Sequence, residues 1–211
     1  MAMTFRAVDL FVAAIAAAVA VVMWVNAATL AHLHNSHAYL FGFVNFAVLS
    51  TFGESLSNRI SSGRWLLDKL PLRAALWGMI GIWIAAVFPF GVGGVSTITS
   101  IGMWPSINAA FSTSLWLNIL SGYGFFMMMT HFWTNSMLVH GPRWPWEIFG
   151  DAAFKPFSKT VLLSLPLFWL PAHTITFLLP ETVRITFAAV LGIALGLILT
   201  LSANRKTAGN V

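Results

Sequence analysis

The chain has 211 residues, of which 58% are hydrophobic and 8% charged, against about 45–50% apolar and 25% charged in soluble proteins. Too few polar side chains remain to cover a water-facing surface, which excludes a soluble domain and implies an integral membrane protein. The net charge of +5 and a pI near 10.3 come from eleven basic residues scattered along an apolar chain. They form no basic patch of the kind nucleic acid requires. The absence of cysteine rules out a disulfide, a thiolate nucleophile and a cysteine-held metal.

A helix needs about 20 mostly apolar residues to cross the hydrocarbon core. On that rule the chain reads as an all-α, polytopic membrane bundle of about six transmembrane helices in one membrane domain. The spans are Val8–Leu30, Ala38–Ile60, Arg73–Val95, Asn108–Trp133, Thr160–Leu179 and Val183–Ala203. The first run is too long for a signal-peptide core and is read as a span. Six crossings place Arg6, Arg59, Arg64, Lys69, Arg73, Arg143, Lys155, Lys159, Arg205 and Lys206 on one side, and Arg184 alone on the other. By the positive-inside rule both termini are expected in the cytoplasm, with a bacterial inner membrane as the expected location.

Ionisable groups at membrane depth are costly and mark functional candidates. In the second span, Ser50, Glu54, Ser57, Asn58 and Ser61 share one helical face by their spacing. That face points into the bundle, towards a water-filled cavity or partner helices, or else Glu54 reaches the nearby interface and pairs with Arg59. Between the third and fourth spans, Gly91–Ser106 carries no charge and many Gly, Ser and Thr, and reads as a loop on the surface or folded back into protein. In the fourth span, Ser114, Asn118, Ser121 and Gly122 form a second polar stripe, read as helix packing or as a pore lining.

On the other side, Gly141-Pro142-Arg143-Trp144-Pro145-Trp146-Glu147 mixes tryptophan with charge, as an interfacial segment does. The fifth span carries Pro166 and Pro171, with Trp169, His173 and Thr176 on one face. Kinked helices beside polar groups line transport sites, and they also occur as plain bends. In the sixth span Gly192 and Gly196 form a GxxxG packing pattern.

Among the histidines, His32, His34 and His37 cluster near the end of the first span and are weak metal candidates, with no carboxylate or cysteine beside them. His131 and His173 are candidate axial haem ligands, although the six-span order puts them near opposite faces. No cofactor and no metal is expected.

The C-terminal part resembles the Mpv-seventeen family, which includes the 22-kDa peroxisomal membrane protein. The family signature runs Trp-Pro, Gln, Asn-Phe, Pro and Arg. Here Trp169 opens it, His173 stands for the Gln, Thr176-Phe177 for the Asn-Phe, and Pro180 and Arg184 follow one residue early. Phe52-Gly53-Glu54 and Asn58 resemble the family's Gly-Asp and following Gln, and Arg73 with Gly78 fits its basic stretch. Leu170 replaces the signature proline, with Pro171 one place later, and Asn118 is the remnant of a central Asp-Gln. The resemblance covers about half the chain and implies a small helical membrane protein of channel-like or homeostatic role, without enzyme activity. The site residues it implies are Gly53, Glu54, Asn58, Trp169, His173, Phe177, Pro180 and Arg184.

Three functions are compatible with these residues. The first is a channel or carrier for small molecules or ions, with Glu54, Asn58, Asn118 and His173 facing a polar path. The second is a non-catalytic accessory subunit in a larger membrane complex or homo-oligomer. The third is a haem- or quinone-binding redox subunit. The expected partners are the lipid bilayer and other membrane protein, not nucleic acid.

Overall fold

The computed structural model describes residues 6–208. The outermost residues, and with them the termini whose side the charges predict, lie outside the described residues. So do the side chains of Arg205 and Lys206. The architecture is all helical, with no strand among the described residues. Helices satisfy every backbone donor and acceptor within one segment, which an apolar chain in hydrocarbon requires.

The helices are α1 (Ala7–Val25), α2 (Ala27–Ser36), α3 (Ala38–Ser62), α4 (Leu70–Ser100), α5 (Ala109–Leu120), α6 (Tyr123–His140), α7 (Phe154–Leu178) and α8 (Glu181–Ala208). Four of them, α1, α3, α4 and α7, are long and apolar enough to cross a membrane. Those four fall on the first, second, third and fifth expected spans.

The boundaries differ in three places. The first span ends at Val25, where Asn26 leaves helical geometry and its amide donates to the Val22 carbonyl at 2.8 Å. The Gly91–Ser106 segment is not a loop over most of its length, because α4 runs on to Ser100 through Pro89. Hydroxyls of Thr97, Thr99 and Ser100 donate to carbonyls three or four residues back, so these polar residues satisfy themselves on the helix. The fourth span is not one helix. It breaks at Gly122, whose φ of +73° is the left-handed geometry that ends a helix.

Each of α3, α5 and α7 carries one five-residue π-helical segment: Phe46–Ser50, Trp116–Leu120 and Leu165–Trp169. Such wide turns concentrate at functional sites in helical proteins.

The chain divides into two compact units, residues 1–83 with 189–211 and residues 84–188. In the first, α3 crosses α4 with almost no side chain between them. A Cβ built on Gly81 would lie 2.2 Å from the Gly42 carbonyl oxygen, and one on Gly78 would meet the Phe43 ring at 2.4 Å. On its other flank α3 meets α8, where a Cβ on Gly53 would lie 2.7 Å from Ile193 Cα. Gly192 faces Ser50, and Gly196 faces Ser57 and the Gly53 carbonyl. Small residues on both helices thus permit the close approach that stabilises membrane bundles. In the second unit α5 packs along the C-terminal half of α7, and Phe88, Leu117, Leu165 and Ala172 are buried there.

Candidate functional site

The first unit holds two ion pairs made by α3. Asp9, in the opening turn of α1, is buried and receives both Nε and Nη2 of Arg59, at 2.7 and 2.6 Å. This fork-on-carboxylate geometry is the strongest form of an ion pair. The Trp65 indole donates to the same carboxylate at 2.7 Å and the Arg6 amide at 2.8 Å. The remaining arginine nitrogen reaches the Gly63 carbonyl at 3.3 Å.

Glu54 therefore does not pair with Arg59. Its carboxylate is held by the Arg73 guanidinium and by the Trp77 indole at 3.1 Å. Arg73 and Trp77 lie four residues apart on α4, so both donors leave one face of that helix. The expected polar face of α3 divides between two tasks. Ser50, Gly53 and Ser57 turn towards α8. Asn58 instead donates to the Arg64 and Leu66 carbonyls, at 2.8 and 3.2 Å, and pins the chain after α3.

The second unit holds a neutral site. His173 Nδ1 lies 3.1 Å from Asn118 Oδ1. The Asn118 amide donates to the Ser114 carbonyl at 2.9 Å, which leaves its oxygen as the acceptor. His173 accordingly carries its proton on Nδ1, and Nε2 keeps its lone pair.

Aromatic rings enclose the imidazole. Trp169 lies 5.1 Å away, Phe88 5.7 Å edge-on and Phe177 6.4 Å. Ser114, fully buried, donates to the Leu170 carbonyl at 2.7 Å. Asn118 sits in the π segment of α5 and Trp169 in that of α7, and those two segments touch. Trp169 Nε1 is buried there without a hydrogen-bond partner, and Ser112 Oγ, earlier on α5, is likewise buried and unpartnered.

The other residues that sequence pointed to are dispersed. Pro180 lies in the turn between α7 and α8. Arg184 donates to the Leu179 and Phe177 carbonyls, at 3.0 and 3.1 Å, and covers the Phe177 ring at 5.8 Å. It caps the end of α7. His34 is buried against Phe41 while His32 and His37 are exposed. No group of three metal-binding side chains forms among the described residues. His173 engages an amide, and His131 lies on α6, a different helix.

Asp9, Trp65, Trp77 and Phe88 are the site residues that sequence reasoning missed. Only Asp9 carried a usable signal, as an acid at a membrane-helix end.

No protein-family model, curated protein or solved structure matches this chain.

Proposed function

We propose that this protein is a channel- or carrier-like membrane protein for small polar molecules or ions, with the Asn118–His173 site as its selective point. One observation carries the reading. Two π-helical segments meet at that site, and an indole N–H, that of Trp169, is buried beside the imidazole without a partner. Hydrocarbon offers no hydrogen bond, so such groups call for water or a polar solute. Irregular helices facing one another at membrane depth are how transporters build binding sites. His173 supplies an acceptor at Nε2, and Trp169 supplies a donor.

In this reading the chain crosses six times, with the broken α5–α6 pair and the 28-residue α8 adding to the four long apolar helices. Both termini lie in the cytoplasm of a bacterial inner membrane, on the ten-to-one distribution of basic residues. The resemblance to the Mpv-seventeen family belongs to the same proposal, since Trp169, His173 and Phe177 gather in the aromatic enclosure of that site. No nucleotide-binding motif is present in the sequence, so transport runs down existing gradients.

The test is solute entry into reconstituted vesicles, comparing the native protein with Asn118→Leu and Trp169→Phe. Native protein should raise permeability to small polar solutes, and both variants should alter its rate or selectivity at unchanged helix content. Permeability equal to that of empty vesicles refutes the proposal.

A second reading, an accessory subunit of a larger complex, is favoured by α1. Only 6% of its most apolar window is buried, which leaves nearly its whole surface to lipid or to a partner helix. Stable co-purification of another membrane protein, lost when α1 is deleted, supports it. Unchanged co-purification without α1 counts against it.

A further inference from the structure

The chain between α3 and α4 builds a pocket that the transport reading does not use. Gly63, at φ +76°, ends α3. The Asn58 amide then draws the following residues back through the Arg64 and Leu66 carbonyls, and Ser62 Oγ donates to Asn58 Oδ1 at 2.9 Å. The result is a half-open cavity of about 180 Å³, lined by Asn58, Ser62, Arg64, Leu67, Asp68 and Arg73 among others. At ~30 Å³ per water that is room for about six waters or a headgroup of similar bulk. Both flanking helices are long and apolar enough to span a membrane, so the pocket sits at the end of the hydrocarbon layer, beside the cluster Arg59, Arg64, Lys69 and Arg73.

The charges of the pocket wall decide what fits. Arg73 is neutralised by Glu54, and its Nε donates to the Asp68 carbonyl at 2.9 Å. The Arg64 guanidinium and the Asp68 carboxylate make no hydrogen bond or ion pair, with each other or with any described residue. One unpaired cation and one unpaired anion therefore line the same cavity. A purely anionic headgroup would satisfy Arg64 and repel Asp68. A choline headgroup would offer Asp68 no N–H donor.

We propose that this pocket binds a phosphate ester that also carries an ammonium group, the chemistry of the phosphoethanolamine headgroup. Arg64 takes the phosphate, Asp68 takes the ammonium, and the exposed Leu66 lies where an acyl chain leaves the pocket. The ligand is either a membrane lipid or a free phosphoethanolamine ester.

Native mass spectrometry of the full chain tests this, in detergent with equimolar phosphatidylethanolamine, phosphatidylcholine and phosphatidylglycerol of matched chains. One phosphatidylethanolamine should be retained with about tenfold preference, the discrimination of one charge-assisted hydrogen bond. Arg64→Gln and Asp68→Asn should each abolish the preference while leaving the melting temperature unchanged, since both side chains are exposed and unpaired. Displacement of the lipid by soluble phosphoethanolamine at equal concentration assigns the free ester as ligand. Resistance to displacement assigns the lipid. Retention of phosphatidylglycerol or phosphatidylcholine as strong as that of phosphatidylethanolamine overturns the proposal, as does a preference that survives both substitutions.

Discussion

The glycine contacts of α3 allow a graded test of how closely this bundle is packed. A Cβ on Gly53 would stand 2.7 Å from Ile193 Cα, where carbon atoms rest at about 3.5–4.0 Å. The obstacle is backbone, so no rotamer change relieves it and the helices must separate by roughly 1 Å, the shortfall from that contact distance. Overpacking of this kind costs about 1–3 kcal/mol, against a gain of about 1 kcal/mol from replacing helical glycine by alanine. Gly53→Ala should therefore be destabilising by a net ~0–2 kcal/mol, which lowers Tm by up to about 8 °C in a protein of this size.

Gly81→Ala should be worse, since its Cβ would fall 2.2 Å from the Gly42 carbonyl oxygen. Gly196→Ala meets Ser57 Oγ at 2.7 Å, an atom that rotates away, so its cost should be small and Ser57→Ala should remove it. Gly93→Ala meets nothing within 4 Å and should be neutral or stabilising by up to ~1 kcal/mol. Thermal unfolding in one detergent, followed by circular dichroism, ranks the four. Gly53→Ala and Gly81→Ala melting at or above Gly93→Ala would refute the close crossing of α3 with α8 and α4.

Asp9→Asn should destabilise more than Glu54→Gln in the same assay, because Arg59 is far more buried than Arg73 and keeps its charge. Adding Arg59→Gln to Asp9→Asn should restore part of the loss, and no restoration would show that the pair is not coupled. Glu54→Leu should melt lower than Glu54→Gln, since Arg73 and Trp77 then lose their acceptor altogether; equal melting points would contradict that pairing. Burial raises the pKa of Asp151, but hydrogen bonds from Arg143 and Ser136 outweigh it and hold the carboxyl below its ordinary 3.8. A depressed folded value means that the pair contributes fully above the unfolded value and is lost as pH falls through the folded one. Melting temperature should thus fall on acidification below the ordinary carboxylate range, and less steeply in Asp151→Asn; identical acid profiles would argue against it.

The long apolar helices were legible because hydrophobicity sums locally, and α1, α3, α4 and α7 each carry their signal within their own residues. What ends or widens a helix was less so. Ser121-Gly122-Tyr123-Gly124 held a turn signal, but it lay inside an apolar run long enough to read as one span. Gly, Ser and Thr after Gly91 read as a loop by the habits of soluble proteins, whereas their hydroxyls close onto carbonyls of the same helix. The π segments insert a single residue into a turn, and those of α5 and α7 lie where the two helices touch. No local pattern in Trp116–Leu120 encodes it. The meeting of Asn118 with His173, 55 residues later, depends on that same packing.

Ion-pair partners show where spacing alone would have improved the reading. Glu54 and Arg59 are five residues apart, about 140° around a helix of 3.6 residues per turn. They point to different neighbours, so helical geometry itself argues against their pairing. The same angle explains what each does find. Arg59 is turned to α1 and takes Asp9, the one acid that α1 offers. Glu54 is turned to α4, where Arg73 and Trp77, one turn apart, present two donors to one carboxylate. Buried charge in hydrocarbon is kept only where it is matched. The two pairs therefore act as register pins. A slide of α3 by one residue along its axis would rotate Glu54 and Arg59 by about 100° and strand both. The close crossings at Gly42 and Gly53 oppose the same slide by sterics, and the charges add an electrostatic penalty to it.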